Sequence, residues 1–279
     1  MTYSVLIGLS AVMVAVHDDM PLVLVTQRDT GEDALPFGPF DPEQHRTFDL
    51  SLRVWVREQT GFELGYVEQL YAPTGDQFEA RWQGWYRYFP WEDHRNGRPA
   101  IIDAELAPHL YTWASGNQQR LDRARIAFGL DGARWVEERV LERYELLYEA
   151  GLVAECARDA DLPPPATHLG ATMASDHRRI LATALARLRG KVKYRPVVFE
   201  LLQERFTLSA LQRTVEGILG LSLHTQNFRR ALEKTDLVKG TGRLETSTGG
   251  RPAELYEFRR DYVRGIAAPG LATPRKTPE

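Results

Sequence analysis

From Thr225 to Arg230 the chain reads Thr-Gln-Asn-Phe-Arg-Arg, a run dense in groups that pair with base edges. Arginine donates to guanine O6 and N7, and asparagine or glutamine pairs with adenine N6 and N7. Phe228 and Leu232 stand four residues apart, so a helix over about 224–234 turns them inward. That phase leaves Thr225, Gln226, Asn227, Arg229 and Arg230 outside, where they can read a major groove. Gln226 and Asn227 are expected to touch bases, and Arg230 a base or a phosphate. Lys191, Lys193, Arg195, Gln212, Arg243 and Arg251 are further candidates for DNA contact. With Lys239, the last two would meet phosphates, which adds affinity without sequence information.

A second chemistry is suggested, and then withdrawn, between residues 35 and 62. A divalent metal on a diphosphate needs several carboxylate oxygens converging on one point. The stretch LPFGPFDPEQHRTFDLSLRVWVREQTGF has the loop, helix and terminal glycine of such a site. It resembles the Nudix box, G-x5-E-x7-R-E-U-x-E-E-x-G-U, where U is bulky and apolar. With the second glycine placed on Gly61, the Arg-Glu pair falls on Val54-Trp55, the Glu-Glu pair on Glu58-Gln59, the first Glu on Arg46 and the first Gly on Phe40. One carboxylate, Glu58, survives and Arg46 reverses another, so no catalytic residue and no metal site are expected. Arg28, Arg46, Arg53 and Arg81 are instead candidates to neutralise a diphosphate directly. Phe37, Phe40, Trp85 or Tyr86 are candidates to stack on adenine.

The elements that must position these groups can be read in order. Residues 4–16 and 21–27 are expected as strands, joined by a turn at His17-Asp18-Asp19. Asp41, Pro42 and Gln44 start a helix that ends at Gly61, with Phe48, Leu52, Trp55, Val56 and Gln59 on one face. Strands follow at 66–72 and 82–90, then an irregular stretch to 114 with Glu92-Asp93 and Asn96-Gly97 as turn residues. Ser115 caps a helix over 116–128. A longer helix over about 133–150 carries Val136, Val140, Tyr144, Leu147 and Tyr148 on one stripe and is expected to act as a lever between the two modules. Residues 159–175, with three successive prolines, form a linker. A helix over 176–190, capped by Asp176, has the apolar stripe Ile180, Ala184, Leu188. Then come helices from Pro196, from Thr207 or Ser209 to Gly220, and the groove-facing helix. A basic hairpin over 237–258 follows, the order of a winged helix-turn-helix.

Composition sets the frame. A hydrophobic content of 43% supplies a core, so wholesale disorder is excluded. The single cysteine, Cys156, excludes an internal disulfide framework and suits a reducing cytoplasm. No apolar run reaches the roughly 18 residues of a membrane span, and the apolar start lacks the basic flank of a signal peptide. Residues 177–264 hold 18 Lys and Arg against 9 Asp and Glu, so a net +9 sits on a chain of net −3. A polyanion partner for that part alone is expected.

The whole order resembles the Nudix-related transcriptional regulators of NAD metabolism, the NrtR type, and most nearly its NadQ branch. The resemblance rests on LPFGPFDPEQHRTFDLSLR at 35–53, EQLY at 68–71 with Gly75-Asp76, RYELLYEAGLV at 143–153 and DHRRILATALARLRGKVKYRPVVFELL at 176–202. It continues with FTLSALQ at 206–212, NFRR at 227–230 and GRPAELYEF at 250–258. It implies an α/β plus winged-helix fold, with an N-terminal Nudix-like α/β/α sandwich over 1–158 that senses a ligand. After the linker come a winged helix-turn-helix over 176–264 and a disordered tail over 265–279. It further implies a homodimeric repressor of NAD biosynthesis genes on double-stranded operator DNA. ADP-ribose, NAD or ATP would be the effector nucleotide, and there would be no catalytic cofactor. A Nudix-type nucleotide-diphosphate hydrolase with an attached DNA-binding domain is the alternative.

Overall fold

Strand β3 (Met20–Gln27) is the spine of the N-terminal half. Apolar side chains on both of its faces place Val23, Leu24 and Val25 in the core, as a strand covered on two sides requires. It pairs antiparallel with β2 (Val14–His17), β4 (Asp33–Ala34) and β6 (Ala80–Gly84). The β2–β3 turn places Asp18 and Asp19 at positive φ, a conformation aspartate tolerates. The first expected strand is broken: β1 (Ile7–Ser10) leaves the sheet and pairs instead with β5 (Phe37–Phe40). Helix α1 (Phe48–Thr60) covers this pair, with Val56 buried against Ala11, Met13 and Leu24. The computed structural model describes residues 7–27, 31–40, 48–60, 80–165, 167, 169–245 and 252–259. The strand expected at 66–72, the tail at 265–279 and the start of the helix near Asp41 lie outside them.

The strand expected over 82–90 stops at Gly84. Trp85, Tyr88, Phe89 and Trp91 are all fully buried, and a strand with one face to solvent cannot bury consecutive residues. Two 3-10 turns, Trp85–Arg87 and Pro90–Glu92, turn them inward together. The stretch expected to be irregular holds a π-helical turn, Ile102–Leu106, running into α2 (Ala107–Trp113). In α3 (Gln118–Phe128) the cap is Asn117 rather than Ser115, its side chain accepting the Arg120 N–H at 3.1 Å. Helix α4 spans only Val140–Glu149. The residues before it have another task, since the Val136 carbonyl accepts from Arg143 and the Glu137 carbonyl from Arg189.

After α5 (Ala154–Asp159), the proline-rich segment packs rather than spans, burying Leu169, Met173 and Ala174. Helix α6 (His177–Tyr194) then crosses the molecule. Its buried face is Leu181, Ala182, Leu185, Arg189 and Val192, while the stripe read from sequence, Ile180, Ala184 and Leu188, is half-covered. The residues from Pro196 form a 3-10 turn, Val197–Leu201, not a helix. β7 (Arg205–Thr207), α7 (Leu208–Leu219), α8 (Thr225–Glu233), β8 (Val238–Glu245) and β9 (Ala253–Phe258) complete the winged unit, its strands in the order β7-β9-β8.

Helix α7 docks on the N-terminal half through its glycines. The Tyr86 hydroxyl donates to the Gly217 carbonyl at 2.7 Å, and the His94 N–H to the Gly220 carbonyl at 2.7 Å. A Cβ at Gly220 would lie 2.2 Å from the Glu92 carbonyl oxygen, and Gly220 sits at φ +68, so only glycine fits. Beneath this contact Glu92, Arg143 and Arg189 are fully buried together. Glu92 accepts from Arg143 Nε at 2.5 Å and Nη2 at 2.8 Å, and from Arg189 Nη1 at 2.5 Å. Burial alone would raise the Glu92 pKa, but the two guanidiniums hold it below the usual carboxylate range. Arg189 Nε also donates to the Ile218 carbonyl of α7 at 2.9 Å.

Two outcomes follow from this junction. Glu92→Gln leaves two buried guanidiniums without an anion and should cost about 3–5 kcal/mol, read as a lowered urea midpoint. His94 is set against Trp135 with ring centroids 4.0 Å apart, and burial pushes its pKa down to about 4. The unfolded chain therefore binds a proton first, so stability present above pH ~6.5 is lost as the pH falls toward 4, by up to about 3 kcal/mol. His94→Phe should remove that part of the acid dependence in pH-stepped urea melts.

Candidate nucleic-acid interface and effector pocket

The turn between α7 and α8 is braced from within. Thr207 Oγ1 accepts the Ala210 N–H at 3.1 Å and starts α7, and Gly220 ends it in the left-handed conformation. Gln212 Nε2 donates to the Leu223 carbonyl at 3.1 Å, to Glu216 at 3.0 Å and to Thr225 Oγ1 at 3.3 Å. Glu216 in turn accepts the Leu223 N–H at 2.7 Å. Gln212 is 8% exposed, so its expected place among the DNA contacts is corrected: its amide is spent holding the turn.

Helix α8 buries Phe228 and Leu232, the phase read from sequence. Thr225, Gln226, Arg229 and Arg230 are exposed and Asn227 is half-buried. Many arginines are paired, as in Arg81–Asp33, Arg95–Asp93, Arg98–Asp103 and Arg123–Glu149 in the N-terminal half and Arg205–Glu257, Arg213–Asp19 and Arg259–Asp236 in the winged unit. On the winged unit Arg229, Arg230, Lys239 and Arg243 are exposed and pair with no carboxylate among the described residues. Unneutralised positive charge around a protruding amphipathic helix suits a phosphate backbone. Arg195 and Lys191 are also exposed. Lys193 is corrected: it is tied to Glu137 at 2.8 Å and to Glu138, and serves α6. Arg251 lies outside the described residues.

The expected effector residues are only partly brought together. Arg28 and Arg46 lie outside the described residues. The backbone of Phe37 is clamped by Gln59, whose Oε1 accepts the Phe37 N–H at 3.0 Å and whose amide donates to the Phe37 carbonyl. Trp55 occupies the space where a Cβ on Gly38 would stand, which accounts for that glycine. The Phe37 ring meets His177 edge-on, with centroids 5.0 Å apart, and His177 Nδ1 accepts the Leu35 N–H at 3.0 Å. Phe40 pairs through its backbone with Ile7, and Arg53 is half-buried on α1. Arg81 is held by Asp33 at 2.6 Å. Asp33 also accepts from the Tyr88 hydroxyl at 2.7 Å, and burial with that bond raises the Tyr88 pKa. Trp85 is corrected as a stacking platform, since it is fully enclosed in the core. Tyr86 is corrected too, being 8% exposed with its hydroxyl committed to Gly217.

Sequence reasoning missed Asp33, His177, Gln59 and the Glu92 cluster. Gln59 had a signal, since it stands where the resembled motif carries a glutamate. Among the described residues no group of three His, Cys, Asp or Glu side chains is placed to hold a metal ion. Among the same residues no helix is long and apolar enough to cross a membrane.

Comparison with known proteins adds to this geometry. Residues 198–258 match the family described as the NrtR DNA-binding winged helix domain. The ADPR responsive transcriptional repressor NtrR of Acinetobacter baylyi is 38% identical over 91 residues, which is 32% of this chain and 36% of that relative's length. The fold is similar to Shewanella oneidensis NrtR complexed with a 27mer DNA, with TM-score 0.49, 20% identity and coverage of 96% and 99% of the two chains. It is also similar to a MutT/nudix family protein from Enterococcus faecalis, with TM-score 0.48, 15% identity and coverage of 93% and 88%. The matched segment coincides with the strands, the turn and the exposed helix described above, so residues 198–258 resemble the NrtR DNA-binding winged helix domain in sequence and in the order of their elements.

Proposed function

We propose that this protein is a ligand-responsive transcriptional repressor. It binds double-stranded operator DNA of NAD biosynthesis genes as a homodimer in the cytoplasm. An adenine nucleotide, ADP-ribose before NAD or ATP, binds the Nudix-like N-terminal half and releases the DNA, without being hydrolysed. The observation that carries this reading is the exposed set Gln226, Arg229 and Arg230 on α8, unpaired among the described residues within an NrtR-type winged helix domain. The name of the Acinetobacter relative favours ADP-ribose among the nucleotides.

Helix α6 is the transmitting element in this reading. Its first residue, His177, holds the Leu35 N–H and the Phe37 ring, and its Arg189 holds Glu92 and the Ile218 carbonyl of α7. Ligand acts only through a difference in affinity between two arrangements of that helix. The lever expected at 133–150 is shorter, and α4 packs against α6 rather than standing between the halves alone.

Fluorescence anisotropy on DNA from upstream of NAD biosynthesis genes tests the reading at ~0.15 M salt, where specific binding persists. Arg230→Ala should cost about 1–3 kcal/mol and relax base preference, while Lys239→Ala should weaken all sequences alike and lower the salt slope by about 1. No binding by the unaltered protein would sink the repressor reading. ADP-ribose should lower the affinity for DNA more than NAD or ATP does. Incubated with Mg²⁺ and the protein, ADP-ribose should stay intact, and hydrolysis abolished by Glu58→Gln would establish an enzyme instead.

A further inference from the structure

Helix α6 has a second apolar face that the core covers only in part. Ile180, Ala184 and Leu188 are half-covered and form one wall of a groove of about 500 Å³. The other walls are Val12 and Val14 of the N-terminal half and Val197 and Leu201 at the entry to the winged domain. That volume is in the range of small-molecule sites. Arg187 and Lys191 line it as well.

The charges on α6 single these two out. The helix carries six cations. Arg178 is paired with Glu155, Arg179 with Glu145, Arg189 with Glu92 and Lys193 with Glu137 and Glu138. Arg187 and Lys191, one helical turn apart, meet no carboxylate among the described residues, and they are the two that line the groove. The remaining polar lining residue, Thr183, already gives its hydroxyl to the Arg179 carbonyl at 2.9 Å.

An apolar floor with paired cations at its side matches a ligand with an apolar body and one anionic head. A nucleotide fits poorly, since no aromatic side chain lines the groove to stack on a base. DNA phosphate would need the cations alone and leave the apolar wall without purpose. We infer that this groove is a second ligand site, distinct from the nucleotide site proposed above, and that it takes a medium-chain carboxylate. The acid head sits between Arg187 and Lys191, and the chain lies along Ile180, Ala184 and Leu188 against Val12 and Val14. The inference does not depend on the nucleotide reading.

Isothermal titration of the full chain with octanoate, acetate and octanol tests it. Octanoate should bind at one site, and acetate without a tail and octanol without a charge should each bind at least about tenfold more weakly. The double variant Arg187→Gln, Lys191→Gln and the groove-filling Ala184→Phe should each lose about tenfold in octanoate affinity, with the thermal midpoint of the double variant kept. Octanoate that fails to bind at low millimolar concentration, or that binds both variants as it binds the parent, overturns the proposal. So does a double variant that keeps its octanoate affinity and loses affinity for duplex DNA, which would assign the cations to phosphate.

Discussion

One buried carboxylate, Glu92, faces two buried guanidiniums, and the assembly of the chain turns on that imbalance. Taking three charges out of water costs several kcal/mol each, recovered only when hydrogen bonds satisfy them. Here they do: Arg143 also donates to the Ala127 and Val136 carbonyls, and Arg189 to the Glu137 and Ile218 carbonyls. Glu137 and Lys193 add a second acid and a third base at the edge of the cluster. The three central residues come from a 3-10 turn, α4 and α6, so no two of these elements can settle without the third. The winged domain joins through the same group, since Ile218 belongs to α7. Trp135 closes one side, its ring carrying the Arg143 guanidinium at 3.8 Å.

The cluster gives α6 two loyalties. Its Arg178 reaches back to Glu155 and to the Tyr88 and Leu169 carbonyls, all in the N-terminal half, while Arg189 reaches forward to α7. A shift of this helix therefore breaks buried, charge-assisted bonds at one end or the other. Buried polar networks resist gradual deformation and favour discrete arrangements. The stretch from Asp33 to Phe37 is fastened to the same helix, by His177 and by the Ala174 N–H on the Asp33 carbonyl at 2.9 Å. A ligand that moves this stretch acts on α6 directly.

Much of the winged domain was legible in the sequence because its signals are local. Thr207 as cap, Gly220 as terminator and the Phe228–Leu232 phase are each fixed within a few residues. The N-terminal half was less legible because its decisive contacts join residues far apart. Glu92 sits in a run, Trp-Glu-Asp-His, that reads as turn chemistry, and nothing nearby in sequence announces partners 51 and 97 residues away. The aromatic run from Trp85 to Trp91 was read with a strand's period, though burial on all sides needs a tighter coil. The shortened α4 has the same origin, the residues before it giving their carbonyls to the side chains of its own Arg143 and of Arg189 on α6. On α6 the periodicity found an apolar stripe, but the core uses the other one, because Arg189 must face Glu92.

The winged domain meets the rest of the protein through the shared apolar core, the main-chain carbonyls of Gly217, Ile218 and Gly220, the Ser222 hydroxyl, and Arg213 on α7. Of the outward residues on α8, Thr225 alone is tied back, by Gln212. The face proposed to read DNA and the contacts that attach its domain are thus separate sets of residues. On the proposed reading, mutational drift at Gln226, Arg229 and Arg230 would rewrite which sequence is bound without loosening the attachment. A regulator of this proposed plan would diverge in target genes while inheriting the same switch unchanged.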